Sequence, residues 1–287
     1  MRLKDRILEI CEEFDGRIGL SAYNFQTEET VGCRVEEVFP TASVIKLPVL
    51  LTLMQQVQDG QYSLDDPIML RRGDQIGGSG LLQYLSPGLT MPIRDWAFLM
   101  MSISDNLATN VLIDHVGLDK VQAWLADHDY PDVQLRRKID FTILNKDQNE
   151  LGTATPAALT RMMTAVFHNK HLTPNACQEM LRMMNKVGAD RIGRYLPFEP
   201  FGSDVPDEAK LNLAGKTGSL KGMRAQTAVV WRGKREENRG YAISIMNEGN
   251  PEPELWHPDA PGVLIIGRLA RAVYDAWLGG EGNWVIG

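Results

Sequence analysis

Thr41-Ala42-Ser43-Val44-Ile45-Lys46-Leu47-Pro48-Val49 sets a serine and a lysine three residues apart at the head of a long apolar run, Leu47–Val57, that ends at Asp59-Gly60. If that run is a helix, positions i and i+3 share a face, so the Lys46 amine can meet the Ser43 hydroxyl. A serine at a helix opening also lies among free backbone N–H groups at the positive end of the macrodipole, which favour developing negative charge. Serine attacks poorly until a base takes its proton, and a lysine of lowered pKa can be that base. Taken alone, a capping serine followed by a solvated lysine accounts for the same spacing. Pro48 removes one backbone hydrogen bond, which the first turns of a helix tolerate.

Upstream, Leu3, Ile7, Ile10, Cys11 and Phe14 form one stripe and predict an amphipathic helix over 3–14. Ile18, Leu20 and Ala22 alternate within Arg17–Phe25, and Val31, Cys33 and Val35 alternate after Glu28-Glu29, which predicts an antiparallel hairpin. Downstream, residues 60–95 are rich in turn signals, including Gly77-Gly78-Ser79-Gly80 and Ser86-Pro87-Gly88. A helix is expected over Thr90–Met101, a break at Ser102–Asn106, and a second helix over Leu107–Val116 closed by Gly117. Lys120–Asp127, Thr155–Phe167 and Thr173–Asn185 predict further helices. Ala225–Trp231 and Tyr241–Met246 predict strands joined by the charged turn Arg232–Arg239, and Pro261–Leu278 a closing helix capped by Gly279-Gly280.

Strands at both ends with helices between imply an α+β fold: an antiparallel sheet of about five strands, flanked by the N- and C-terminal helices, with an all-helical unit inserted. Residues 1–38 together with 207–287 make the expected sheet unit and 39–206 the helical unit, with the active site between them.

Composition narrows the function classes. The chain has 287 residues, 44% hydrophobic and 23% charged, in the range of ordinary globular proteins. A net charge of -7 argues against a nucleic-acid surface. No run approaches the ~18 apolar residues of a membrane span, and the charged start Met1–Arg6 has no signal-peptide core. The chain as given therefore reads as cytoplasmic, or as periplasmic or secreted if a leader has been removed, and as a monomer or weak dimer. Cys11, Cys33 and Cys177 are odd in number and read as buried or idle thiols. His168 and His171 read as a solvated turn rather than a metal site, and no cofactor motif is present.

Two more short motifs follow Ser43-x-x-Lys46. Ser104-Asp105-Asn106 falls at the expected helix break, and Lys216-Thr217-Gly218 follows Leu211–Gly215 at the opening of an expected strand. Singly, each reads as a polar loop or a charged turn. Together and in this order, they resemble the motif set of the penicillin-recognising serine hydrolases, the class A β-lactamases and penicillin-binding proteins. The resemblance runs over nearly the whole chain: the 61-residue interval from Ser43 to Ser104, the Gly78-Ser79-Gly80 turn and the Thr155-Pro156 helix start are similar to class A enzymes. No G-x-S-x-G elbow occurs, which removes the α/β-hydrolases as a competing scaffold.

The resemblance implies a role for each residue. Ser43 attacks a carbonyl and becomes acylated, Lys46 takes its proton, and Ser104 relays that proton to the leaving nitrogen beside Lys216. Asn106 offers an amide to the substrate's acylamino chain. Lys216 and Thr217, with Arg224 on the neighbouring strand, hold a substrate carboxylate, and Gly218, Ser219 and Asn145 also border the substrate. The backbone N–H groups of Ser43 and Ser219 form the oxyanion hole.

The resemblance also has departures. Class A enzymes hydrolyse the acyl-enzyme with an Ω-loop glutamate about 36 residues after the motif serine, and an asparagine four later; here that count reaches Asp140, with Asn145 five later. The arginine–tryptophan pair before it reads Lys138-Ile139, and Glu150 is a less favoured substitute for the glutamate. Asp140 is either a short-reach general base or a structural partner of Arg136 or Arg137. Leu50 and Ala97 stand where some class A enzymes carry a cysteine pair. Three functions therefore stay open: a class A-like β-lactamase; a D-Ala-D-Ala-type peptidase, amidase or esterase; and a penicillin-binding module that acylates without turnover. The implied partner is a small β-lactam or an acyl-peptide or ester.

Overall fold

In the computed structural model, residues 1–185, 190–197 and 210–279 are described. The chain opens with helix α1 (Leu3–Glu12), a hairpin of β1 (Arg17–Asn24) and β2 (Thr30–Cys33), and the short strand β3 (Phe39–Pro40). A single 3-10 turn, Ala42–Ile45, leads into α2 (Lys46–Gln58). Two short strands, β4 (Pro67–Met69) and β5 (Thr90–Pro92), precede α3 (Ile93–Ser102), α4 (Asn106–Val116) and α5 (Leu118–Asp127). Then follow β6 (Gln134–Leu135), α6 (Phe141–Leu144), β7 (Gly152–Ala154), α7 (Pro156–Phe167) and α8 (Pro174–Met184). The chain returns to the sheet as β8 (Leu211–Leu220), β9 (Met223–Arg232) and β10 (Gly240–Glu248), and closes with α9 (Pro261–Trp277).

The main sheet has five strands in the order β2-β1-β10-β9-β8, all neighbours antiparallel. The two chain ends thus share one sheet, with β1 hydrogen-bonded to β10. Alternate residues of the strands feed two cores. Ile243, Ile245, Leu213 and Val230 face α1 and α9, where they meet Ile7, Ile266 and Leu269. Ala242, Met246, Ala214 and Val229 face the helical side and join Leu47, Leu50, Trp96, Met162 and Phe167. No helix among the described residues is long and apolar enough to cross a membrane.

The α+β architecture is the one the sequence implies, and the differences are local. Thr90–Pro92 is a strand paired with β4 rather than a helical turn, because the residue before a proline is held extended and Pro92 itself (ψ 152°) caps the helix that starts at Ile93. Lys216-Thr217-Gly218 lies inside a ten-residue strand rather than at its opening. Both faces of β8 are largely covered, so the two-residue alternation that marks a half-exposed strand is missing there. Leu50 and Ala97 are fully buried in the helical core. Gly280 of the expected helix cap and the 206/207 unit boundary lie outside the described residues.

Leu269 sits at the centre of the α9 face with no solvent exposure. Leu269→Ala should lower unfolding stability by about 3 kcal/mol through lost transfer energy and an unfilled cavity, read as a fall in the urea midpoint at unchanged slope.

Candidate active site

Three backbone devices bring the motifs together. The first is the turn carrying Ser43. Thr41 ties it to β7 through its N–H and its hydroxyl, both bonded to the Gly152 carbonyl at 3.0 Å. Ala42 then takes a left-handed conformation (φ +46°), strained for a residue with a Cβ, and delivers Ser43 half-buried at the edge of a cleft.

The second device is the break between α3 and α4. Ser104 is also left-handed (φ +58°), and Asp105 caps α4 by accepting from the Ala108 N–H at 2.9 Å. The other Asp105 oxygen accepts from the Leu81 and Leu82 N–H groups at 2.7 and 3.0 Å. One buried carboxylate therefore joins the Ser104 loop to the loop over 78–82. Gly80 has to lack a side chain, because a Cβ there would lie 2.2 Å from Asp105 Oδ2.

The third device is the approach of β8 to the Ser43 turn. A Cβ on Gly218 would meet the Thr41 carbonyl at 2.7 Å and the Ser43 nitrogen at 3.1 Å, so only glycine lets the strand lie that close.

Within this frame Lys46 is wholly buried, and its amine has no ion-paired carboxylate among the described residues. Its Nζ contacts the Ser104 carbonyl at 2.8 Å, Ser104 Oγ at 3.0 Å and Asn106 Oδ1 at 3.0 Å. Desolvation lowers its pKa to about 7, against the opposing pull of Asp105. A neutral amine fits the same contacts, donating two N–H bonds and accepting the Ser104 hydroxyl hydrogen on its lone pair. The expected meeting of Lys46 with Ser43 is replaced by these bonds to Ser104 and Asn106. Ser43 lies in the 3-10 turn, and the α-helix starts at Lys46.

Lys216, 1% exposed, donates to the Thr217 carbonyl at 2.9 Å. Burial drives its pKa well below the ordinary lysine range, and the nearby Lys46 and Arg191 charges push the same way. Arg191 belongs to no motif and was not anticipated from the sequence. Its guanidinium donates to the Gly218 and Ala225 carbonyls at 2.7 Å and to Ser219 Oγ at 2.7 Å. Burial lowers its pKa to about 10. Lys46 and Arg191 thus lie close enough to Lys216 to depress it, and Arg191, ion-paired with Asp190 at 3.7 Å, keeps its charge most readily of the three.

Arg224 points elsewhere. Its guanidinium donates to the carbonyls of Leu220, Met223 and Leu255 at 2.6 to 2.7 Å and lies over the Trp256 ring. Asn106 donates its amide N–H to the Gly77 carbonyl at 3.2 Å.

Ser43 opens on a cleft of about 390 Å³. The lining around it includes Ser79, Asn106, Ser219 and the apolar Ile139, Phe141, Leu144, Leu151 and Trp256, with no acidic residue among those described. Asp140 is not part of that lining. Its carboxylate caps α6, accepting from the Thr142 hydroxyl at 2.6 Å and N–H at 2.9 Å, bonds that hold its pKa below the usual value. It faces a separate depression shared with Asp74, Asp114 and Lys138. Asn145 follows as the exposed C-cap of the same short helix. Glu150 is ion-paired with Arg137.

A family model described as the beta-lactamase enzyme family matches residues 2–277. The beta-lactamase VEB-1 of Pseudomonas aeruginosa is 24% identical over 201 residues, 67% of this chain and 67% of that protein. A solved beta-lactamase from Sphaerobacter thermophilus superposes with a TM-score of 0.80 at 28% identity over 96% of each chain. The structure of PBP-A superposes with a TM-score of 0.79 at 22% identity, over 96% of this chain and 95% of that one, which is a likeness of fold.

Gly218→Ala should leave the protein folded and slow β-lactam opening by roughly 100-fold, since its Cβ displaces the Thr41–Ser43 backbone by a fraction of an ångström. Burst kinetics with a chromogenic cephalosporin would read the loss in the first turnover.

Proposed function

The chain belongs to the beta-lactamase enzyme family, and on that footing we propose that it is a serine hydrolase that opens the β-lactam ring through an acyl-enzyme on Ser43. The observation that carries the reading is the wholly buried Lys46 amine, held by Ser104 and Asn106 and ion-paired with no carboxylate among the described residues. A buried lysine without a counter-ion is costly, and a pKa of about 7 leaves a large share of the amine free at neutral pH.

In this mechanism the Ser43 hydroxyl adds to the ring carbonyl while its proton passes to neutral Lys46. The tetrahedral oxyanion rests on the backbone N–H groups of Ser43 and Ser219. Collapse breaks the carbonyl–nitrogen bond, and the Lys46 proton reaches the departing nitrogen through the Ser104 hydroxyl, which lies 3.0 Å from Nζ. Lys216, Thr217 and Arg191 receive the substrate carboxylate, with Arg191 acting through Ser219 and the Gly218 end of the strand. Asn106 holds Lys46 on one side of its amide and borders the substrate on the other. On this reading the cleft takes its walls from β8 and the Trp256 loop on one side and from the 78–79 and 139–151 segments on the other.

Deacylation is the step the cleft supports least. Its Ω-loop wall is Ile139, Phe141, Leu144 and Leu151, and the Asp140 carboxylate is occupied by Thr142. A hydrolytic water there has no acid side chain to orient it, so we assign this enzyme a slow second step. The same observation favours, as a second reading, a penicillin-binding or D-Ala-D-Ala-type peptidase whose β-lactam adduct persists.

The time course of intact mass after benzylpenicillin separates these outcomes. A Ser43 adduct that forms quickly and decays slowly, with hydrolysed drug accumulating, is the expected result. An adduct that never decays supports the second reading, and unmodified protein with intact drug overturns both. Ser43→Ala should abolish the adduct. Asp140→Asn should change the decay rate less than about threefold, whereas loss of a true general base costs 100-fold or more.

A further inference from the structure

Away from the cleft, on the α1 and α9 side of the sheet, two of the three cysteines come together. Cys11 lies in the last turns of α1 and Cys33 ends the edge strand β2, and their sulfurs stand 3.3 Å apart. Both are free thiols, and either can hold the proton between them. The sequence reading, buried or idle thiols, holds for the burial of Cys33 and Cys177, but it did not include this contact, because 22 residues and the whole of β1 separate Cys11 from Cys33 and their spacing carries no pairing signal.

We propose that Cys11 and Cys33 form a cross-linking site: a dithiol that reacts with a small disulfide such as glutathione disulfide and locks α1 to β2. The geometry favours closure over a stable mixed adduct. Reaching the ~2.05 Å bond length requires the sulfurs to move by only ~1.2 Å, which a side-chain rotation supplies. Cys11 is the more exposed partner and meets the reagent, while Cys33 is buried behind it among Ile10, Ile18 and Leu20. The hydrogen bond between the two sulfurs pulls the Cys33 thiol down and, with burial, pushes the Cys11 thiol up, while the Arg34 charge opposes that rise. Cys11 therefore reacts once its proton is lost to solvent, and Cys33 is the readier thiolate for closing the bond.

The exchange balances in two displacements. A Cys11 thiolate attacks one sulfur of the reagent, forms a mixed disulfide and expels the first small thiolate. Cys33 then loses its proton, attacks Cys11 Sγ and expels the second. Two protein thiols are oxidised to one disulfide, and the reagent is reduced to two thiols. The bond would fasten an edge strand of four residues to the helix that covers it. The Ser43 cleft lies on the opposite face of the sheet and is untouched by the change.

The test uses the full chain in a glutathione disulfide buffer, followed by alkylation, intact mass and peptide mapping. The expected product has lost two hydrogens, links Cys11 to Cys33, and leaves Cys177 alkylatable. Its thermal midpoint should rise by about 5 °C and return on treatment with dithiothreitol. Cys11→Ser and Cys33→Ser should each lack both the cross-link and the rise. A wild-type protein that stops at a glutathione adduct, a bridge that includes Cys177, or a midpoint that falls on oxidation would each overturn the proposal.

Discussion

A buried amine without a counter-ion is the constraint on which the rest of the site depends. Lys46 has no exposure, and the uncharged carbonyl, hydroxyl and amide oxygens of Ser104 and Asn106 meet it. Such a group survives folding largely by giving up its proton, and desolvation brings its pKa to about 7. The linkage has a definite sign. Between about 7 and the ordinary 10.5 the unfolded chain binds a proton that the folded chain does not, so this group's contribution to stability rises with pH across that window. The fold bears that cost at neutral pH through two cores, one on each face of the sheet.

The surrounding architecture keeps the amine where it is. Asp105 holds the start of α4 and the 78–82 loop with a single carboxylate, which fixes Ser104 and Asn106 against Lys46. Gly218 and Gly80 admit backbone contacts that any side chain would block. Ala42, just before Ser43, and Ser104, in contact with the lysine, are both left-handed. Strain of this kind is kept where surrounding structure over-determines it, and here it accompanies the proposed nucleophile and the proposed proton relay.

Much of this was legible in the sequence because it rests on short-range signals. Helix stripes, turn residues and the Ser43-x-x-Lys46, Ser104-Asp105-Asn106 and Lys216-Thr217-Gly218 motifs each lie within a few residues. What was hidden depends on contacts across long separations. Arg191 reaches Gly218, Ser219 and Ala225 from a turn with no motif of its own, while Arg224, the sequence's candidate for that place, turns to Leu220 and Leu255. Asp140 sits at the expected count from Ser104, but the local hydrogen bonds of a four-residue helix take its carboxylate away from the cleft. Spacing gives the loop position; it does not give the direction of the side chain.

The rate of Ser43 acylation as a function of pH tests the central claim most directly, because it reads the protonation of Lys46 rather than the presence of a serine. Single-turnover measurements with one β-lactam from pH 5 to 10 should show the rate constant rising with pH and levelling off, with a midpoint near 7, as the amine loses its proton. A midpoint in the ordinary lysine range near 10, or a rate that falls across this interval, would contradict a neutral Lys46 as the base.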